Sequence, residues 1–177
     1  MKNIVLVGMP ACGKSTIGVL LAKAMGFTFI DTDLIIQQET GLLLQQIIDG
    51  QGLDAFCIAE ERAICSVNAQ RCVIATGGSA VYSRTAMLHL KESGTVYYLS
   101  LPTDEVKRRL YNIKSRGIAM RPTDTIEDVF ARRRALYEEY ADITVECLGK
   151  TIEQTVSEIA DYHRALENQG GSLCPKK

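Results

Sequence analysis

Apolar residues fall along this chain in two alternating rhythms. Short blocks rich in Val, Ile, Tyr and Thr occupy 3–8 (NIVLVG), 27–31 (FTFID), 72–78 (CVIATGG), 95–101 (TVYYLSL) and 143–148 (ITVECL), and read as strands. Between them apolar positions recur at helical spacing over 14–25, 34–50 with a break, 53–69, 84–92, 103–115, 125–140 and 151–166. Thr103 ahead of Glu105 and Thr125 ahead of Asp128 mark helix starts. Strand and helix alternating from end to end predict an α/β protein, a three-layer α/β/α sandwich around a five-stranded parallel sheet, because parallel strands need crossover connections. No internal repeat or linker interrupts the pattern. Residues 1–167 are therefore expected to form one domain, and the aperiodic NQGGSLCPKK at 168–177 a disordered tail.

Composition narrows the function by exclusion. A chain of 177 residues, 46% hydrophobic and 23% charged, is large enough to bury a real core. Its net charge of -1 lacks the basic excess of a general nucleic-acid or anionic-membrane binder. No apolar run approaches the roughly 20 residues that cross a bilayer, and MKNIVLVG leads from a charged residue directly into a strand rather than into a cleavable leader. The six cysteines, Cys12, Cys57, Cys65, Cys72, Cys147 and Cys174, form no C-x-x-C pair and have no His at zinc-ligand spacing; scattered thiols suit a reducing cytoplasm. His89 and His163 stand alone and are expected at the surface or its boundary. A cytoplasmic monomer with no membrane or nucleic-acid partner is the expectation.

Parallel sheets bind ligands at the carboxyl ends of their strands, so the residues after each strand carry the chemistry. After the first comes GMPACGKS, which fits G-x-x-x-x-G-K-[ST] between a strand and a helix, the context that makes this pattern a phosphate-binding loop. Backbone N–H groups and the helix N-terminus cradle phosphates. Ala11, Cys12, Gly13, Lys14, Ser15 and Thr16 are the expected nucleotide contacts, with Lys14 reaching the outer phosphates and Ser15 a ligand of Mg²⁺. After the second strand come Asp31 and Asp33, two carboxylates one residue apart. Extended backbone points both the same way, toward the phosphates, where Asp31 would serve the metal. Asp33 also fits as the cap of a helix starting at Leu34, and the two roles can coexist.

From Lys107 to Arg121 the chain carries six cations, Lys107, Arg108, Arg109, Lys114, Arg116 and Arg121, and no acid. Alone this would be a solvated helix end, but between the fourth strand and the next helix it suits a lid, about 111–124, that excludes water from a phosphoryl transfer. Three consecutive arginines, Arg132 to Arg134, spread over about 200° of a helix and cannot all face one ligand.

These elements in their order resemble the shikimate kinase family: GMPACGKST, FIDTD, GLDAFCIAEE, ATGGSAV, the RR…RP of the lid, and RRALYEEYAD, from Met1 to about Ile159. The resemblance implies a P-loop fold of the nucleoside-monophosphate-kinase type, with ATP and Mg²⁺ as cofactors and transfer of the γ-phosphoryl group to shikimate, giving shikimate 3-phosphate. It implies that Lys14, Asp33 and Arg121 are catalytic, Asp33 orienting or deprotonating the attacked hydroxyl and Arg121 closing over the transferring phosphate. Arg109 would lie along the adenine, and Ser15 with Asp31 would serve the metal. Asp33, Cys57, Gly77, Gly78, Ser79 and Arg133 would line the acceptor site, with a substrate-binding segment at about 33–62. Glu60 corresponds to an acid that buttresses a substrate-binding arginine.

Two positions depart from the family pattern. Cys57 stands where an arginine helps grip the carboxylate, and Ser79 stands where a third glycine is usual. Arg62, five residues on, points some 140° away and is a poor substitute. Ala11 and Ala135 are milder changes. A sister kinase for another small hydroxylated metabolite, and a non-catalytic nucleotide sensor, are the alternatives these departures leave. A nucleotide-monophosphate kinase fits less well, because the acids of FIDTD would repel a phosphate acceptor.

Overall fold

The computed structural model describes residues 2–111, 119–120 and 123–168. Its elements follow the two rhythms of the sequence. Five strands, β1 (Asn3–Val7), β2 (Thr28–Asp31), β3 (Cys72–Ala75), β4 (Gly94–Ser100) and β5 (Ile143–Glu146), form one parallel sheet in the order β2-β3-β1-β4-β5. The three inner strands are buried at nearly every position, and the edge strands β2 and β5 are not. A strand covered on both faces has no polar side to show, which is why β1 reads as an unbroken apolar run.

The helices are α1 (Lys14–Met25), α2 (Thr32–Thr40), α3 (Leu44–Gln51), α4 (Leu53–Ser66), α5 (Arg84–Ser93), α6 (Thr103–Tyr111), α7 (Ile126–Tyr140) and α8 (Ile152–Asn168), with a 3₁₀ turn at Ala80–Tyr82. α1 packs on β2 and β3 and pairs with α8, whereas α4, α5 and α7 gather with the 3₁₀ turn on the opposite face. Crossovers in a parallel sheet are right-handed, so the chain leaving β1 toward β2 and the chain leaving β3 toward β4 must pass on opposite faces. A crevice opens between them at the carboxyl ends of β1 and β3.

The break expected within 34–50 falls at Gly41, whose φ of 69° ends α2 in a left-handed cap that a Cβ would disfavour. Ile36, Ile47, Phe56 and Ala63 then close a small separate core that binds α2, α3 and α4 into one wall of the crevice. α7 starts with the expected capping box: Thr125 Oγ1 accepts from Asp128 N, and Asp128 Oδ2 accepts from Thr125 N.

His163 is not at the surface. It is 1% exposed on α8, with Nδ1 3.2 Å from the Tyr97 hydroxyl and Nε2 3.2 Å from the Lys2 carbonyl. A lone His gives no sequence signal for this, since the groups around it, Tyr97, Phe27 and the Lys2 carbonyl, are distant in the chain. Burial holds the imidazole below its ordinary value of 6.5, which favours the neutral form in the fold. Its contribution is therefore complete above 6.5 and is lost as pH falls through the lower folded-state value. Melting curves between pH 7.5 and 5 should show that acid-side loss, and His163→Gln should flatten it. His89 is half-buried, as a boundary residue should be, with Nε2 2.8 Å from the Val67 carbonyl.

Candidate functional site

A cavity of about 310 Å³ occupies the crevice. One side is the loop between β1 and α1. Gly13 caps α1 at a φ of 100° and offers no side-chain acceptor, so the first-turn N–H groups stay available to an anion. Ala11 adopts a φ of 65°, a left-handed turn that costs a residue with a Cβ about 1 kcal/mol. Lys14, 8% exposed, donates to the Gly8 and Met9 carbonyls at 2.7 and 2.9 Å, which fixes its ammonium inside the loop.

Asp31 stands across from this loop at the end of β2. Its Oδ2 accepts from the Ser15 hydroxyl at 2.8 Å, and its Oδ1 accepts from the Asp33 backbone N–H at 3.1 Å. The cap of α2 is therefore Asp31, and the helix begins at Thr32; Asp33 lies in the first turn rather than at the cap. The two acids are not successive positions of one strand, yet both line the cavity. Asp31 and Ser15 present two hard oxygens side by side, the donor type that suits Mg²⁺.

The far wall follows β3, which ends at Ala75 and leaves Thr76, Gly77, Gly78 and Ser79 as cavity-lining loop. Arg133 enters from α7. It is fully buried, while Arg132 and Arg134 on either side are exposed and pair with Asp124 and Glu138. Its Nη2 donates to the Ala119 carbonyl at 2.5 Å and its Nε to the Tyr82 hydroxyl at 3.3 Å, with the guanidinium 5.2 Å from the Tyr82 ring. Among the described residues Nη1 has no acceptor. A buried guanidinium with one side left over is prepared for a planar anion.

Tyr82 and Tyr137 escaped the sequence reading. The Tyr137 hydroxyl donates to the Gly78 carbonyl at 2.6 Å, and its ring stacks on Tyr98 at 5.0 Å, which fixes the glycine loop from behind. Tyr137 lies four residues after Arg133 on one helix, so the shared face was there to be read. Tyr82 carries no such signal.

The remaining predicted residues are placed less directly. Glu60 is 2% exposed behind the glycine loop, and burial pushes its carboxyl up to about 7 despite the Ser79 hydroxyl beside it. Cys57 is half-buried beside Glu60 but does not line the cavity, whereas its neighbour Phe56 does. Arg62 is exposed. Cys12 is buried under the phosphate loop, with Sγ 3.7 Å from Lys14 Nζ, and Thr16 is exposed; neither lines the cavity. Arg109 donates from Nε to Glu105 at 2.7 Å. Arg121 and most of the predicted lid, 111–124, lie outside the described residues, as does 169–177 of the tail. Among the described residues no helix is long and apolar enough to cross a membrane.

The shikimate kinase family model matches residues 10–164. The chain belongs to the shikimate kinase family. These are phosphotransferases with an alcohol acceptor, and membership implies use of ATP. A curated shikimate kinase from Haemophilus influenzae (strain ATCC 51907 / DSM 11121 / KW20 / Rd) is 36% identical over 176 residues, 97% of this chain and 98% of the relative. The shikimate kinase of Acinetobacter baumannii, solved in complex with shikimate, superimposes with a TM-score of 0.84 at 29% identity, over 96% of this chain and 95% of that one. The Aquifex aeolicus shikimate kinase gives 0.80 at 31% identity, over 96% and 99%. The five-stranded parallel sheet and its helical layers are the fold expected for that family.

Proposed function

We propose that this chain transfers the γ-phosphoryl group of ATP to a hydroxyl of shikimate, giving shikimate 3-phosphate. The observation that carries the reading is one cavity whose wall includes Lys14, Asp33 and Arg133: a phosphate-binding cation, a proton acceptor and an anion-binding guanidinium. Phosphoryl transfer asks a protein chiefly to position two reactants and to neutralise charge, and these three side chains divide that work.

Arg133 holds the acceptor carboxylate with its free Nη1. Asp33, on the opposite wall, orients the attacked hydroxyl and takes its proton. Lys14 and the first-turn N–H groups of α1 receive the phosphates. Ser15 and, through water, Asp31 would hold Mg²⁺, which when bound neutralises charge on the phosphate oxygens. The roles expected of Arg121 and of a lid at 111–124 fall on residues outside those described, and Arg109 would lie along the adenine. The free thiols Cys12, Cys57, Cys65, Cys72 and Cys147 suit a reducing cytoplasm.

A second reading rests on Cys57. Arg133 is the one guanidinium lining the described cavity, so an acceptor without a doubly gripped carboxylate also fits. Coupled ADP release with shikimate and a panel of hydroxylated metabolites separates the two. Turnover highest with shikimate is the expected result. Preference for another acceptor establishes the sister kinase, and ADP release at background with all of them establishes a nucleotide sensor.

A further inference from the structure

Behind the acceptor pocket sits an acid that the transfer itself does not use. Among the described residues Glu60 Oε1 has no hydrogen-bond partner, and it fills the volume that a Gly77 side chain would take: a Cβ there would lie 2.0 Å from it and 3.0 Å from Asp33 Oδ1. Among the described residues no Lys or Arg makes an ion pair with it. The groups that face it are the Ser79 hydroxyl, Asp33 from α2, Arg133 and Tyr137 from α7, Lys14 from α1, and Cys57 on its own helix. The carboxyl thus stands directly behind the loop that would receive an acceptor's anionic end, near Arg133, the one guanidinium among the described residues that lines the cavity.

We propose that Glu60 is a positioning residue that sets acceptor affinity: while it holds a proton it adds no negative charge behind the glycine loop, and Arg133 binds an anionic acceptor unopposed by it. The proposal rests on the reading of shikimate as acceptor. Burial and the neighbouring Asp33 place the exchange near neutrality, against Ser79, Arg133 and Lys14, which favour ionisation. An ionised Glu60 repels the acceptor carboxylate and competes for Arg133. By linkage, an acceptor that binds better to the protonated state must in turn favour protonation, so binding near pH 7 takes up part of a proton.

Three measurements test this. The KM for shikimate should rise about three- to tenfold between pH 6 and 8, the order expected for one partly screened charge at close range. In Glu60→Gln it should stay flat at the low value. Calorimetry of shikimate binding without nucleotide, at pH 7 in two buffers of different ionisation heat, should show proton uptake by the wild type and none by Glu60→Gln. Should that variant fail to fold, Ser79→Ala keeps Glu60 and removes the hydroxyl that favours its charge; the KM rise and the carboxyl titration seen by ¹³C NMR should then both move to higher pH. Binding without proton uptake, a KM flat with pH in the wild type, or a Ser79→Ala profile that does not move overturns the proposal while shikimate turnover stands. Neither binding nor turnover with shikimate at any pH overturns both.

Discussion

Asp33→Asn should lower kcat with shikimate by about 10²- to 10⁴-fold, the usual contribution of a positioned general base, and leave ATP binding unchanged. The variant is nearly isosteric, and the bond that starts α2 runs from the Asp33 backbone N–H to Asp31 Oδ1, so the helix start does not depend on the side chain replaced. The amide can still touch an acceptor hydroxyl but can neither take its proton nor offset the charge that develops on it. Loss of turnover with intact nucleotide titration is therefore the signature of a base. Wild-type kcat in Asp33→Asn would remove Asp33 from the chemistry, and a parallel loss of ATP affinity would place it with the phosphates instead.

Gly77→Ala should cost about 10²-fold in kcat/KM for the acceptor, because shifting a reacting group by about 1 Å is worth that much. The added methyl meets Glu60 Oε1 at 2.0 Å and Asp33 Oδ1 at 3.0 Å. Glu60 is buried and cannot swing into solvent, so the displacement passes to the loop or to Asp33. Gly50→Ala is the control. Nothing lies within 4 Å of a Cβ at that position in α3, so it should be neutral or stabilising by about 0.5–1 kcal/mol, since alanine suits a helix better than glycine. Melting curves on both variants separate lost packing from lost positioning: unchanged activity in Gly77→Ala would mean that the glycine loop tolerates a side chain the structure has no room for.

What could be read from the sequence follows from the range of the physics involved. The sheet was legible because parallel strands buried on both faces must be continuously apolar, and β1 is. The phosphate loop was legible because its chemistry is local: Gly13, Lys14 and Ser15 are neighbours in the chain and in space. Asp31 and Asp33 were found but the cap was assigned to Asp33 instead of Asp31, since the two-residue difference in where α2 begins is decided by packing rather than by composition. His163 was misplaced for a related reason, because its burial depends on β4, more than sixty residues away in the chain. The Glu60–Ser79 contact lay beyond reach as well. Each residue is unremarkable in its own segment, and only the register of α4 against the loop after β3 brings them together.

The carboxylate of Asp31 has a consequence for motion. With one oxygen on the Ser15 hydroxyl and the other on the first turn of α2, it pins the starts of two helices that come from opposite faces of the sheet. Movement of the wall bearing Asp33 away from the floor under the phosphates must therefore break one of these two bonds, whereas on the opposite rim Ala119 is tied through its carbonyl to Arg133.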